Sequence, residues 1–357
     1  MPKSKAKRFV CSLAAGALFF MLGCAPVGPD YTPPETKAPG SWNSGMGKGL
    51  QAKRPSPDEL ARWWDLLNDP ELSDLIAGAV QSNLDLKQAK ARVRQARALR
   101  GISRAKLFPK IDAGAQADFN APSDNASSKP ADHLYQAGFD AGWELDVFGG
   151  VRRSVEAAQA DLEAAQADLS DVLVSLAAEV ALSYMEVRTF QARLEVARAN
   201  LVSQENTYGF IRSRHEAGLT TKLALEQARY NLERTRALIP ALEIGLEASL
   251  NRLAVLLGGA PGSLHKRLQK TRPLPVPPLS VAVGVPAEAL RRRPDLRRAE
   301  RRLAAQSARV GVATADLYPR FKLSGSIGLE AVQGGDLLRS SSFFAGLLPT
   351  VTWNLFD

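Results

Sequence analysis

Residues 135–147 read YQAGFDAGWELDV, with every odd position apolar and every even position polar or glycine. A period of two sustained over that length puts alternate side chains on opposite faces of an extended strand, one greasy and one wet. The run IDAGAQADF at 111–119 has the same period: Ile111, Ala113, Ala115, Ala117 and Phe119 alternate with Asp112, Gly114, Gln116 and Asp118. A turn-rich stretch from Asn120 to Asp132 joins the two, so together they read as a hairpin. Strands of about ten residues with this alternation fit a transmembrane β-barrel. An antiparallel sheet resting one face on a soluble core has the same alternation, and strand by strand the two readings coincide.

An internal repeat extends the pattern. Shifting the chain by 210 lays Asp85-Leu86 on Asp295-Leu296, Ala89 on Ala299, Arg92 on Arg302, Gly101 on Gly311, Phe108-Pro109-Lys110 on Tyr318-Pro319-Arg320, and Trp143 on Trp353. One ungapped offset carrying this many matches marks a duplication. The offset is even, so strand parity is kept: Phe321, Leu323, Ile327 and Leu329 form one apolar face, and Leu347, Val351, Trp353 and Leu355 another. The chain therefore carries four such strands. Closed membrane barrels need about eight or more, so these strands can enter a bilayer only by sharing one barrel among several chains. The parity predicts that Phe139, Trp143, Leu323 and Val351 face lipid and their even neighbours face water, because the reverse would place Asp140 and Glu144 in hydrocarbon.

After Gly149-Gly150 no glycine or proline occurs until Gly209, which predicts one helix from Val151 to about Ala217, roughly 100 Å long at about 1.5 Å per residue. Val151, Val155, Ala158, Leu162, Ala165, Leu169, Val172 and Leu176 follow the 3.5-residue average of a left-handed coiled coil, with alanines flanking them for close approach. A second limb, 221 to 257, is expected to bend at Pro240 and Gly245. Its 37 residues cannot cover the 67 of its neighbour, and the 25 of a helix from Asn83 to Leu107 make up the length. Ahead of these, a helical pattern from Pro57-Asp58-Glu59 carries Trp63, Trp64, Leu67, Leu72, Leu75, Ile76 and Ala79, with a fresh start at Asp69-Pro70. Pro273, Pro275, Pro277, Pro278 and Pro286 mark an extended linker.

The N-terminus reads as a secretory leader: Lys3, Lys5, Lys7 and Arg8 precede an apolar stretch from Phe9 to Leu22 that is short for a membrane span. It ends at Met21-Leu22-Gly23-Cys24, similar to the lipobox at which bacterial lipoproteins are cleaved and acylated on cysteine. An ordinary leader with an incidental Cys24 is the alternative. The chain of 357 residues has a net charge of +9, and loss of residues 1–23 removes four positive charges to leave +5, which weakens the case for a nucleic-acid partner. Two cysteines in all, one of them Cys11 in the leader, exclude a disulfide-stapled scaffold. From Ala25 to about Arg54, Pro, Gly, Ser and Lys predominate, as in an extended tether.

The lipobox, Trp63-Trp64, Asp69-Pro70, Asn83-Leu84-Asp85, the duplicated helix, hairpin and helix unit, and the run Trp143 to Gly150 together resemble the outer membrane efflux proteins of the TolC type. The branch they are most similar to is the lipid-anchored, NodT-like group that serves RND-type drug pumps. The resemblance implies an α+β membrane protein of the two-repeat outer membrane factor fold. Each chain would give four β-strands to a trimeric twelve-strand barrel and a long α-helical coiled-coil wall to a tunnel. It implies a leader at 1–23, a lipid-anchored tether at 24–57, a first repeat at 58–262, a Pro-rich linker at 263–285 and an incomplete second repeat at 286–357. Lipidation falls on Cys24. The partners implied are two further copies of the chain, a periplasmic adaptor protein, an inner-membrane pump and outer membrane lipid, with the helical part in the periplasm. The adaptor would dock at the helix tip Ala217, Gly218, Leu219 and Thr220, although any helix hairpin turn favours glycine there. Adding 210 to Leu257 predicts a second repeat ending near residue 467, about 110 residues beyond Asp357. Residues that constrict the tunnel entrance in the family come mainly from that second tip and are not carried over.

No catalytic or metal chemistry emerges from the remaining motifs. Gly45 to Gly49 lacks P-loop spacing, no GxSxG elbow occurs, and His133, His215 and His265 lie far apart in sequence. The basic run Arg291-Arg292-Arg293 with Arg297-Arg298 reads as a solvated helix start. The expectation is a passive conduit that is not an enzyme and carries no cofactor, powered by its partner pump, with a drug, a metal ion or a secreted polypeptide as cargo. A type I secretion channel and a non-channel periplasmic coiled-coil adaptor or scaffold are the competing readings.

Overall fold

The computed structural model describes residues 25–35, 42–43, 47, 49–51, 53, 56–121, 132–278, 280–282 and 284–356. The leader, Cys24 and Asp357 lie outside the described residues. Eight helices of α type are present among them: α1 (Pro57–Ala61), α2 (Pro70–Ser82), α3 (Leu84–Ala105), α4 (Gly150–Glu216), α5 (Lys222–Leu256), α6 (His265–Leu268), α7 (Pro286–Arg292) and α8 (Pro294–Ala315). The strands are β1 (Leu50–Gln51), β2 (Lys110–Asn120), β3 (Asp132–Leu145), β4 (Val281–Ala282), β5 (Arg320–Ala331) and β6 (Phe343–Thr352).

The duplication read from sequence is present in the fold. α3 and α8 are both 22 residues long and both begin and end 210 apart, as do the starts of β2 and β5. One hydrogen bond recurs with them: Trp143 Nε1 donates to the Leu107 carbonyl at 3.1 Å, and Trp353 Nε1 donates to the Leu317 carbonyl at 3.0 Å. Each indole thus ties its strand to the turn that ends the preceding helix.

The chain forms two compact units. The first gathers Arg92–Gln166 and Arg297–Asp357 with the chain up to Glu35. Its four long strands make one antiparallel sheet in the order β2-β3-β5-β6, so the inner strands of the two repeats pair directly. β3 stops at Leu145 rather than running on to Val147, because Asp146 is committed elsewhere. Its carboxylate accepts from the Val151 and Arg152 backbone N–H groups at 2.9 Å each, supplying the partners that the first turn of α4 lacks. β6 likewise ends at Thr352, opposite Arg320 where β5 begins, so Trp353 and Leu355 lie beyond the ladder. Beside the sheet, α4 and α8 meet through Ala160, Ala304 and Ala305, whose small side chains let the helices close up, with Arg301–Glu163 and Arg309–Asp161 ion pairs flanking the contact.

The second unit comprises Thr36–Ala91 and Ala167–Leu296. Its core joins Leu72, Leu75, Ile76 and Ala79 of α2 to Leu176, Val180, Tyr184 and Val187 of α4, Leu250 and Leu253 of α5, and Leu264 and Leu268. The two proline-rich stretches pair with each other, through parallel β1 and β4 and a bond from Trp42 Nε1 to the Gly284 carbonyl. Along α4 the expected seam is only partly buried. Leu162 and Leu176 are buried while Val155, Ala158, Ala165, Leu169 and Val172 are half-buried, and Ala157, Ala160 and Ala164 form a second buried line. A helix flanked on two sides buries two lines instead of one. α5 runs unbroken through Pro240, and Gly245 is a socket: a Cβ there would fall 2.5 Å from Cζ of Phe190.

Asp69 organises this unit. One carboxylate oxygen caps α2 by accepting from the Glu71 and Leu72 N–H groups at 2.9 and 3.3 Å, and the other accepts from the buried Tyr184 hydroxyl at 2.6 Å. Burial, reinforced by that carboxylate, pushes the Tyr184 phenol up to about 12, so it stays a donor at any physiological pH. The Arg188 guanidinium stacks over the Tyr184 ring at 4.9 Å and donates to Gln191 and to the Lys270 carbonyl. Asp69→Ala should therefore cost ~2–4 kcal/mol, the cap plus an orphaned phenol, and Tyr184→Phe only ~1–2 kcal/mol. Urea titrations of both variants and the double variant, followed by circular dichroism, check the order; an equal loss for the two single variants would contradict it.

Candidate channel wall

The register of the sheet decides which side chains share a face. Ala113, Phe139, Ile327 and Ala345 stand opposite one another across the four strands, as do Ile111, Ala141, Gly325 and Leu347. Every odd-numbered residue of the sheet is therefore on one side, as the repeat parity predicts. That side carries no Asp, Glu, Lys or Arg; Ile111 is exposed by 69%, Phe139 by 57%, Leu347 by 72% and Val351 by 61%, while Tyr135, Trp143, Phe321, Leu323 and Leu329 are half-buried. Aromatic rings sit at both ends of it. Phe119, His133 and Tyr135 stack at one end, and Phe148, Tyr318 and Phe321 gather near Trp143 at the other. From Tyr135 to Trp143 the strand rises ~27 Å at ~3.4 Å per residue, or ~20 Å of depth at a tilt near 40°, close to the apolar band of outer membrane barrels.

The even face is wet and hydrogen-bonded across strands. Gln116 Nε2 donates to Gln136 Oε1 at 2.7 Å and to Asp118 at 3.1 Å, and Gln136 Nε2 donates to Glu330 at 3.2 Å, a ladder spanning β2, β3 and β5. Lys110 pairs with Asp112 at 2.9 Å. A cavity of about 710 Å³ lies over this face, lined by Lys110, Asp112, Asp140, Glu144, Lys322 and Leu348 among others, so the wet side is the hollow one. Six carboxylates against three cations on the four long strands leave the wall mildly acidic.

Glycine makes the hollow possible. Gly114, Gly138 and Gly328 lie in one row across three strands. A Cβ at Gly138 would come 2.5 Å from the Ile327 carbonyl oxygen, and one at Gly328 would come 2.6 Å from that of Ala137. Neighbouring strands converge on the even side here, which only residues without a side chain permit. Phe344 completes the row by laying its ring over Gly328. Phe344, Leu348 and Leu134 are apolar residues on the wet face, departures from the expected alternation. For Phe344 the glycine beneath it is the sequence signal; β6 otherwise reads as apolar on both faces.

The predicted tip is a tight helix end. Gly218 has φ +72°, its N–H donates to the His215 carbonyl at 2.9 Å, and the Leu219 N–H donates to the Arg214 carbonyl at 2.8 Å, the paired bonds of a Schellman cap. Thr221 then caps α5 through Ala224 N–H. Leu219 is 66% exposed beside Ala217 and Gly218, while His215 Nδ1 lies 3.2 Å from the Thr220 carbonyl. The other histidines are dispersed, His133 among the aromatic rings and His265 on Glu247. Among the described residues no helix is long and apolar enough to cross a membrane.

A four-strand sheet, apolar outside and polar within, attached to duplicated helices defines a β-barrel wall segment of the outer membrane channel type. The family model described as outer membrane efflux protein matches residues 75–259 and 285–357, and the chain belongs to that family. Nodulation protein T of Rhizobium leguminosarum bv. viciae is 36% identical over 316 residues, covering 88% of this chain and 64% of that protein. The solvent efflux pump outer membrane protein SrpC of Pseudomonas putida is 31% identical over 351 residues, covering 97% and 74%. The solved outer-membrane channel OprN superposes with a TM-score of 0.85 at 37% identity, covering 92% of this chain and 73% of that one. The chain thus spans about two thirds of the length of the first curated relative.

Two measurements probe the wall. Nitroxides on Ala141→Cys and Gly142→Cys should differ sharply in access to a lipid-soluble quencher, high at 141 and low at 142; equal access would favour a sheet in water. Gly138→Val should destroy β3–β5 pairing, whereas Gly114→Val, with open space around it, should leave the infrared β-signal and protease resistance intact.

Proposed function

We propose that this protein is the outer membrane conduit of a tripartite efflux system. Three copies join their sheets into a twelve-strand barrel, and their long helices continue as a tunnel through the periplasm. The observation that carries this reading is the sheet itself, which is open at both edges, apolar on its bulging face and polar on its hollow one. Acylation of Cys24 adds a lipid anchor, in keeping with the leader that precedes it. The boundaries read from sequence serve as the domain scheme: leader to 23, tether to 57, first repeat to 262, linker to 285, then the second repeat. The conduit is passive, performs no catalysis and needs no cofactor. An inner-membrane pump supplies energy, and a periplasmic adaptor links the two at Ala217, Gly218, Leu219 and Thr220. The cargo is small and amphiphilic, in line with the solvent efflux named for the Pseudomonas relative and with a wall of mild charge.

Chemical cross-linking of the protein in native outer membranes should trap a trimer, and a monomer at all cross-linker levels would refute the shared barrel. Leu219→Asp, at a turn where the side chain is largely exposed, should leave the trimer intact while reducing adaptor co-purification and solvent resistance at least tenfold. Unchanged resistance would move the docking surface away from the tip.

A further inference from the structure

Arg153 is buried, its side chain 5% exposed, yet it takes no part in the channel wall. Its donors are spent on a segment more than a hundred residues away. Nε donates to the Val27 carbonyl at 3.1 Å, and one terminal nitrogen donates to the Gly28 carbonyl at 3.1 Å and to Asp30 at 2.8 Å. The other terminal nitrogen meets Glu156 at 2.8 Å. Residues 26–31, Pro-Val-Gly-Pro-Asp-Tyr, belong to no helix or strand, so their carbonyls have no ladder partner and the guanidinium fork supplies one.

The surroundings are shaped to receive this segment. Gly28, at φ +87°, lies so close to Gly311 of α8 that a Cβ on it would overlap the Gly311 backbone. A Cβ on Gly311 would in turn come 2.9 Å from the Arg153 side chain. Gly149, at φ +80°, leaves room for Pro26, whose Cα would be 2.5 Å from an added Cβ. The Val27 N–H donates to the Phe148 carbonyl at 3.0 Å. The Tyr31 ring packs on Ala160, Ala304 and Ala305 with the Arg301 guanidinium 5.7 Å from its centre. Three glycines, one buried arginine and an alanine patch thus form a socket for an extended peptide.

We propose that residues 26–31 are an internal ligand, a strap read by Arg153, which pins the corner where β3 turns into α4 onto α8 of the second repeat. What sequence composition presents as a loose tether is docked over these six residues. The docking itself holds whether or not Cys24 is modified.

Hydrogen exchange of the whole protein in detergent tests the strap. In the unaltered chain the Val27 amide should exchange at least tenfold slower than a free peptide of the same sequence. Arg153→Lys, which keeps charge and loses the fork, and Gly28→Ala should each abolish that protection while amides of Val180 and Leu253 stay unchanged. Gly101→Ala, at a glycine with nothing near it, serves as the neutral control. Unchanged Val27 exchange in both variants would overturn the proposal. Acceleration spread evenly over both units would overturn it too, because the segment would then be an inseparable part of the fold rather than a docked ligand.

Discussion

The open edge of the sheet is the constraint on which the rest of the molecule depends. β2 and β6 each present a row of backbone N–H and C=O groups with no strand paired to it among the described residues. In water such edges are tolerable, though sticky. In hydrocarbon each unsatisfied group costs several kcal/mol, so a sheet whose apolar face enters a bilayer must close on itself. Four strands are too few for closure. Strand number and face polarity thus make the chain a fraction of a barrel, and identical neighbours are the simplest completion. Pro349 in β6 agrees with an edge position, since proline in a sheet is confined to places where a missing N–H does no harm.

Closure also needs curvature of one sign, and here chemistry and shape are coupled through glycine. A polar row of ordinary side chains on the concave side would crowd as strands converge. Gly138 and Gly328 remove the side chains where convergence is tightest, and the Phe344 ring covers the bare backbone that results. Above and below, the Gln116–Gln136–Glu330 ladder and the Lys110–Asp112 pair join polar side chains of the wall to one another. That pairing engages part of the wall, beside which Asp140, Glu144 and Lys322 line the hollow.

Most of this was legible in the sequence because two periods carry it. The alternation at 135–147 and the 210-residue repeat are regular enough to survive substitution, and together they anticipated the faces, the strand number and the matched helices α3 and α8. Asp69-Pro70 also announced its helix, a local cap needing only neighbours in the chain. What escaped reading depends on partners remote in sequence. Asp146 continues the alternation perfectly, and only the geometry of α4 shows that its carboxylate caps the helix and ends the strand. Arg153 sits in a helix full of charge, and nothing local distinguishes a buried guanidinium from a solvated one. The glycines at 28, 149 and 311 were visible as residues, but their meaning lies in what approaches them. The cap at Gly218 was likewise legible as a helix end, a local feature, but no period in this chain encodes what the exposed Leu219 beside it meets.

The helices carry the same deficit as the sheet. On α4, Val174, Leu182, Val196 and Phe210 are 56–61% exposed. Their spacings of 8, 14 and 14 keep them within an arc of roughly 80° at ~100° per residue. On α5, Leu223, Tyr230, Leu238 and Ile244 are 55–70% exposed along one side as well. Apolar lines this long are seams rather than scattered surface residues. The described residues therefore leave unmet demands of two kinds, hydrogen-bond partners along the strand edges and apolar contact along the helix seams. A partner that covered only a seam would leave the sheet edges bare, and one that added only strands would leave the seams wet. The duplication supplies complements of both kinds: neighbouring strands of the same pattern for the edges, and, for the seams, long helices of the kind that the first repeat carries and the sequence repeat predicts for the second.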